Sequence, residues 1–222
     1  VNSPGGSPVQ SALIARRIRA LAEEKKIPVF AFAEDVAASG GYWLACAADE
    51  IYALDNSILG SIGVVSSGFG FVDLIERIGV ERRLHTAGSN KARLDPFREE
   101  RPDDVEHLKE VQGDIYASFT AMVKTRRAGK LKGEEETLFS GDFWTGTRAL
   151  DFGLIDGLGD LRSVMRERFG ERVKLRVIEP PRRSLFRRLA GAGNSGFADP
   201  HAWGAGVLAA IEERLFWNRF GL

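Results

Sequence analysis

The chain has 222 residues, enough for one good-sized core, or one core plus a tail. Its 31 lysines and arginines balance 31 aspartates and glutamates, which argues against a dedicated nucleic-acid binder. A hydrophobic content of 44% suits a folded domain, the single cysteine excludes an internal disulfide framework, and no apolar run is long enough to cross a membrane as a helix. The opening residues do not read as a secretory leader either.

The chain begins Val1-Asn2-Ser3-Pro4-Gly5-Gly6-Ser7-Pro8. Ser7 followed by Pro8 predicts a helix start, a capping hydroxyl and then proline at the first helical position. The helix is expected to run to Lys25 or Lys26, with Val9, Leu13, Ile14, Ile18 and Leu21 near one face. Gly5 and Gly6 then fall in the turn that enters it. Glycines there let the backbone aim N–H groups into a cavity, as an oxyanion hole requires, and such donors are worth roughly 3–4 kcal/mol. Taken alone, the same residues read as an ordinary Pro-Gly turn.

Residues 28–33 form an apolar run expected as a strand. Directly after it comes Glu34-Asp35-Val36-Ala37-Ala38-Ser39-Gly40-Gly41-Tyr42, the most informative stretch of the chain. It reads as a sharp turn between a strand and a helix. Small neighbours let the Ser39 hydroxyl stand clear of the backbone, the setting a nucleophilic serine needs. A tight turn that merely accepts small residues is the plainer alternative. Cys46 lies in the apolar helical run Leu44-Ala45-Cys46-Ala47-Ala48, which predicts a buried, inert thiol.

Further strands are expected at Glu50–Ala53, 64–65, 82–86 and 174–178, with a loop over 55–63 containing Gly60-Ser61-Ile62-Gly63. Helices are expected over 71–78 (ended by Gly79), over 102–128 and over Leu161–Phe169. Val105, Leu108, Val111, Ile115 and Phe119 lie near one face of the long helix. Thr145 or Gly146 opens a short helix that Gly153 closes. The alternation of strand and helix gives an α/β fold. Between the 82–86 strand and the long helix lies Gly88-Ser89-Asn90-Lys91-Ala92-Arg93. Most loop lysines are solvated surface charges. Lys91 can act as a base only if burial pulls its pKa down from about 10.4 toward neutrality.

Rival chemistries find little support. The three histidines, His85, His107 and His201, are not placed to form a triad with Ser39. Cys46 has no CxxC partner, so no zinc cluster is expected, and there is no phosphate-binding glycine loop. Gly68-Phe69-Gly70 is too short a pattern for a dinucleotide fingerprint.

Together the motifs resemble the signal peptide peptidase family (SppA/SohB) of Ser–Lys peptidases. The resemblance rests on Asn2-Ser3-Pro4-Gly5-Gly6, on residues 35–42, on Ala48-Asp49-Glu50-Ile51, on Gly60-Ser61-Ile62-Gly63-Val64 and on Lys91. Phe139-Ser140-Gly141 and residues 148–156 extend it, so that it covers about residues 1–170. It implies a spiral of ββα units shared with caseinolytic proteases and crotonases. It also implies Ser39 as nucleophile, Lys91 as general base, Ser61 as the group that holds the lysine, and backbone N–H groups at Gly5 and Gly40 as the oxyanion hole. The family has Thr or Ala before the Gly-Ser, whereas this chain has Leu59, a change expected to alter packing near Ser61.

On this reading residues 1–178 are a peptidase domain, 179–202 a basic flexible linker and 203–222 an amphipathic helix. That helix, carrying Val207, Leu208, Ile211, Leu215 and Phe216, is expected to dock on the body or on a neighbouring subunit. An anionic membrane surface is the alternative. The expected activity is endopeptidase cleavage of signal-peptide remnants or other apolar peptides, by a homo-oligomer at the bacterial inner membrane, without metal or organic cofactor. Two alternatives stand beside it: a crotonase-type acyl-CoA enzyme, and a non-catalytic partner in membrane quality control. In the family, strands precede the Asn2–Gly6 motif, so an upstream portion of roughly fifty residues, including strands that flank Val1, is expected to be missing from this chain, and any membrane anchor is expected to lie in that portion.

Overall fold

The computed structural model describes residues 1–178, 214–215 and 217–221. The chain divides into two compact units, Val1–Leu158 and Gly159–Leu222. The second unit contains α7 (Leu161–Phe169), at the expected place. The Asp160 carboxylate caps it by accepting from the N–H groups of Arg162 (2.7 Å) and Ser163 (3.1 Å). The expected linker at 179–202, and the residues Val207, Leu208, Ile211 and Phe216 of the expected terminal helix, lie outside the described residues.

The first unit opens with α1 (Pro8–Lys25), capped by the Ser7 hydroxyl, which accepts from the Gln10 N–H. Two β–β–α units follow. The first is β1 (Phe30–Ala33), β2 (Val36–Ala38) and α2 (Gly40–Ala45). The second is β3 (Glu50–Ala53), β4 (Ile58–Gly60) and α3 (Val72–Arg77). β1 pairs parallel with β3, and β2 parallel with β4. Each unit therefore lays its two strands beside those of the unit before, which is the spiral of ββα units that the family resemblance implied. After α4 (Pro102–Arg126) and α5 (Glu135–Leu138), β5 (Phe143–Thr145) joins β4 antiparallel. α6 (Gly146–Asp151) leads to β6 (Gly157–Leu158), which pairs parallel with β3.

Several expectations are corrected. A strand, β4, lies inside the segment read as the 55–63 loop. Its three residues, Ile58, Leu59 and Gly60, are too few to produce an alternating pattern. The runs 64–65, 82–86 and 174–178 are not strands. Val65, Val177 and Ile178 are exposed, and among the described residues no strand pairs with these runs. On α1 the buried residues are Ser11, Ala15 and Ala22, while Val9, Leu13 and Ile14 are exposed. The helix is turned this way because it approaches α2 closely: a Cβ on Gly40 would lie 2.6 Å from Ser11 Oγ. Only small side chains fit at that distance. On α4, Phe119 and Val123 are buried against the core, with Phe119 stacked on Trp43 at 4.8 Å. Val111, nearer the N-terminus, is exposed.

A buried ion cluster ties the end of the unit to its centre. Arg127, 2% exposed, donates from Nη1 to Asp156 (2.6 Å) and from Nε and Nη2 to the Gly153 carbonyl (3.0 and 2.8 Å). Asp156 also accepts from Lys130 (2.7 Å) and from the Ile51 N–H in β3 (2.8 Å). The Tyr42 hydroxyl of α2 donates to the Leu154 carbonyl at 2.7 Å. Burial pushes the Asp156 carboxyl up, but the hydrogen bonds from Arg127, Lys130 and Ile51 outweigh it and hold its pKa below the usual range. Burial also pushes the Cys46 thiol up to about 12, so it stays protonated and inert, as the apolar run implied.

Candidate active site

Ser39 occupies the single residue between β2 and α2 and is half-buried. Its backbone sits at φ 51° and ψ −121°, a strained conformation for a residue with a side chain. The N–H of Ser39 donates to the Gly60 carbonyl at the end of β4 (2.8 Å). Its carbonyl accepts from the Trp43 N–H (2.9 Å). The strain is therefore held from both sides, by the sheet and by the helix.

The N-terminal motif lies against this turn. Ser3 bridges Ala37 in parallel register: its N–H donates to the Val36 carbonyl (2.7 Å), and its carbonyl accepts from Ala38 (3.1 Å). Asn2 donates to Asp35 (2.8 Å) and accepts from the Val36 N–H (3.2 Å), which fixes the register. The following Gly5–Gly6 turn reaches the start of α2. A Cβ on Gly40 would lie 3.3 Å from the Gly6 nitrogen and 3.5 Å from the Gly5 carbonyl carbon. The Gly5 N–H donates to Ser3 Oγ (3.3 Å), whereas the Gly6 N–H has no partner among the described residues. Gly6 thus joins the candidate donors, a residue that the sequence singled out only as part of the turn.

Gly41 permits the same approach on the other side. A Cβ there would lie 2.4 Å from the Ser3 carbonyl oxygen and 3.1 Å from Ser3 Cβ. Gly41→Ala is therefore expected to break the Ser3–Ala37 pairing and move the Gly5–Gly6 turn. The expected cost is about 1–3 kcal/mol, the usual range for overpacking. Chemical denaturation measures this directly, and activity should fall further than stability does.

Ser61 directly follows Gly60, whose carbonyl holds the Ser39 N–H. It is 5% exposed, at φ 50°, and its N–H donates to the Asp142 carbonyl (2.7 Å). Leu59, the departure from the family pattern, is fully buried in the core opposite Trp144 of β5. Ser39, Gly5, Gly40 and the Gly60–Ser61 turn thus lie together.

Lys91 is not among them. It is exposed, in a turn closed by its own N–H to the Gly88 carbonyl (3.3 Å). Its ammonium has no hydrogen bond or ion pair among the described residues. His107 pairs with Glu110 (3.4 Å) on α4, and neither it nor His85 contacts Ser39 among the described residues. Among the same residues no cluster suited to a metal ion is found, and no helix is long and apolar enough to cross a membrane.

A spiral of ββα units with parallel sheets defines the caseinolytic protease/crotonase-like class of folds. Within that class the chain belongs to peptidase family S49, whose model matches residues 21–174. A Brucella abortus (strain 2308) protein named Na(+)/H(+) antiporter NhaA is 57% identical over the whole of this chain, which corresponds to 31% of that protein. The chloroplastic serine protease SPPA of Arabidopsis thaliana is 35% identical over 88% of this chain and 30% of its own length. The chain thus spans about a third of these relatives. Among solved structures, the membrane-bound stomatin-specific protease 1510-N with a substrate peptide aligns with a TM-score of 0.48. Identity to it is 18%, over 86% of this chain and 80% of that one.

Proposed function

We propose that this chain is the peptidase portion of a Ser–Lys endopeptidase that cleaves signal-peptide remnants or other apolar peptides. The observation that carries the reading is the strained Ser39, fixed between the Gly60 carbonyl and the first turn of α2, with the Gly5–Gly6 turn at its side. The Ser39 hydroxyl attacks the peptide carbonyl while neutral Lys91 takes its proton. N–H groups at Gly40 and in the Gly5–Gly6 turn hold the oxyanion. The lysine then protonates the leaving amine, and water releases the acyl group. Ser61 would hold the lysine amine once it arrives. The substrate class rests on the family resemblance.

Lys91 must be delivered to this site, and a homo-oligomer is the proposed means. The segment that carries it exposes Val65, Phe69, Leu74, Ile78 and Val80, an apolar surface that a second copy would cover. In that arrangement the lysine of one subunit serves the serine of its neighbour. The relative named as an antiporter supports a membrane setting for the whole protein.

Lys91→Arg should lose nearly as much activity as Lys91→Ala, because a guanidinium cannot shed its proton at working pH. Mixed oligomers of Ser39→Ala and Lys91→Ala subunits should recover part of the peptidase activity that neither has alone. Verified mixed oligomers with no recovery would place the whole site within one chain. A Lys91→Arg variant with wild-type activity would remove the lysine from the mechanism.

The crotonase-type reading would leave Ser39 and Lys91 dispensable. The reading as a non-catalytic partner would leave no acyl-enzyme. Serine-directed fluorophosphonate labelling separates both from the peptidase.

A further inference from the structure

We propose that Asp95 and Asp104 are positioning residues for Lys91: with Arg82 and Arg93 they clasp residues 71–104 into one piece that carries the lysine to the serine as a unit. This rests on the reading of Lys91 as the base.

The segment between β4 and α4 has no strand of its own and little burial, yet it is tied to itself at several points. The Phe71 N–H donates to the Pro96 carbonyl at 2.6 Å, and the Phe71 ring stacks on Phe97 at 5.5 Å. Arg82 donates to one Asp95 carboxylate oxygen from Nε (3.2 Å) and Nη2 (3.1 Å), and its guanidinium lies 5.6 Å over the Phe97 ring. The other Asp95 oxygen accepts from the Phe97 N–H (3.1 Å). The chain after Lys91 is thereby bound to the chain before it. The Phe97 N–H and Arg82 hold the Asp95 carboxyl below its usual range.

The second fastening joins the loop to α4. Asp104, 4% exposed in the first turn of that helix, accepts from the Leu94 N–H (3.3 Å). Its other oxygen faces Arg93 Nε at 3.6 Å, an ion pair wider than a good hydrogen bond. Arg93 Nε and Nη1 and Asp104 Oδ1 are buried without hydrogen-bond partners among the described residues. A slight closing movement would satisfy this pair, so the loop has a defined place to settle. Leu94 is held at φ 56°, strain that only such fastenings sustain.

Lys91 is exposed; it lies inside the Arg82–Asp95 closure and two residues before Arg93. A base must come within about 3 Å of the proton it takes, and a misplacement of about 1 Å can cost about a hundredfold in rate. An exposed lysine on a loose loop could not meet that demand. On a loop closed by Arg82–Asp95 and Arg93–Asp104, only the docking of one preformed piece remains.

The test measures the rate of fluorophosphonate labelling of the full chain against pH, for Lys91→Ala, Asp95→Asn, Asp104→Asn, Arg82→Gln and Arg82→Lys. Arg82 lies partly in solvent, so its replacement spares the core. Lys91→Ala should all but stop labelling. Asp95→Asn and Arg82→Gln should slow it about tenfold and move the midpoint of the pH–rate curve upward, because a loosely held lysine stays better solvated and keeps its proton. Asp104→Asn should act in the same direction. Arg82→Lys, which keeps the charge, should recover most of the rate. If Lys91→Ala labels at the wild-type rate, the base assignment fails and the proposal with it. Suppose Lys91→Ala is dead while Arg82→Gln and Asp95→Asn keep the wild-type rate and midpoint. The positioning role alone is then overturned. The same holds if they lose labelled protein with the midpoint unmoved.

Discussion

Ser39→Ala is expected to lower peptide cleavage by about 10⁴- to 10⁶-fold, the range seen when the nucleophile of a serine peptidase is removed. The fold should survive. The side chain is half-buried, its backbone N–H and carbonyl supply the bonds to Gly60 and Trp43, and alanine keeps both. The strained φ of 51° also remains, so the change removes one oxygen and little else. Thermal unfolding should therefore stay within about 1 kcal/mol of wild type, as for changes that leave packing intact. A variant that unfolds would mean the hydroxyl has a structural role. A variant that folds and still cleaves would mean that another group is the nucleophile.

The largest expected effect on stability belongs to Arg127→Ala. The guanidinium is 2% exposed and makes three of the bonds that hold the segment from Gly153 to Asp156. Its removal leaves the half-buried Asp156 with Lys130 as its counter-charge, and leaves the Gly153 carbonyl without these donors. Breaking a buried ion pair costs about 3–5 kcal/mol, and the surviving Lys130 contact places the expected loss near the lower end. Lys130→Ala, at the wetter side of the cluster, should cost under about 1 kcal/mol. Urea unfolding of the two variants gives the comparison. The same cluster sets an acid limit. The Asp156 pKa is lower in the folded chain than in the unfolded one, so its stabilisation is full above about pH 4, the unfolded value. It is lost as pH falls through the folded value. Asp49 adds to the effect in the same direction: burial opposes its ionisation, but the Val29 N–H, Arg19 and Arg126 outweigh that.

The serine turn was legible in the sequence because its chemistry is local. Ala38-Ser39-Gly40-Gly41 can hardly be anything but a sharp turn, and the structure adds which backbone each glycine admits: Ser3 at Gly41, the Gly5–Gly6 turn and Ser11 at Gly40. The caps of α1 and the glycine that closes α6 were legible for the same reason. The strand at Ile58–Gly60 was not, since three residues buried between two neighbours need no pattern of their own. The buried face of α1 was missed because close helix approach selects Ser11 and Ala15 over larger apolar residues. The delivery of Lys91 to Ser39 depends on a second copy in the proposed assembly. No local signal could carry it.

The Ser39–Lys91 dyad is tested most directly by where a serine-directed fluorophosphonate attaches, read by mass spectrometry of peptides from wild-type and Lys91→Arg protein across pH. One adduct on Ser39 is expected, with a rate that rises with pH in the wild type and is all but absent in Lys91→Arg. An adduct on another serine, or a Ser39 adduct that forms equally fast in both proteins, would contradict the Ser39–Lys91 dyad.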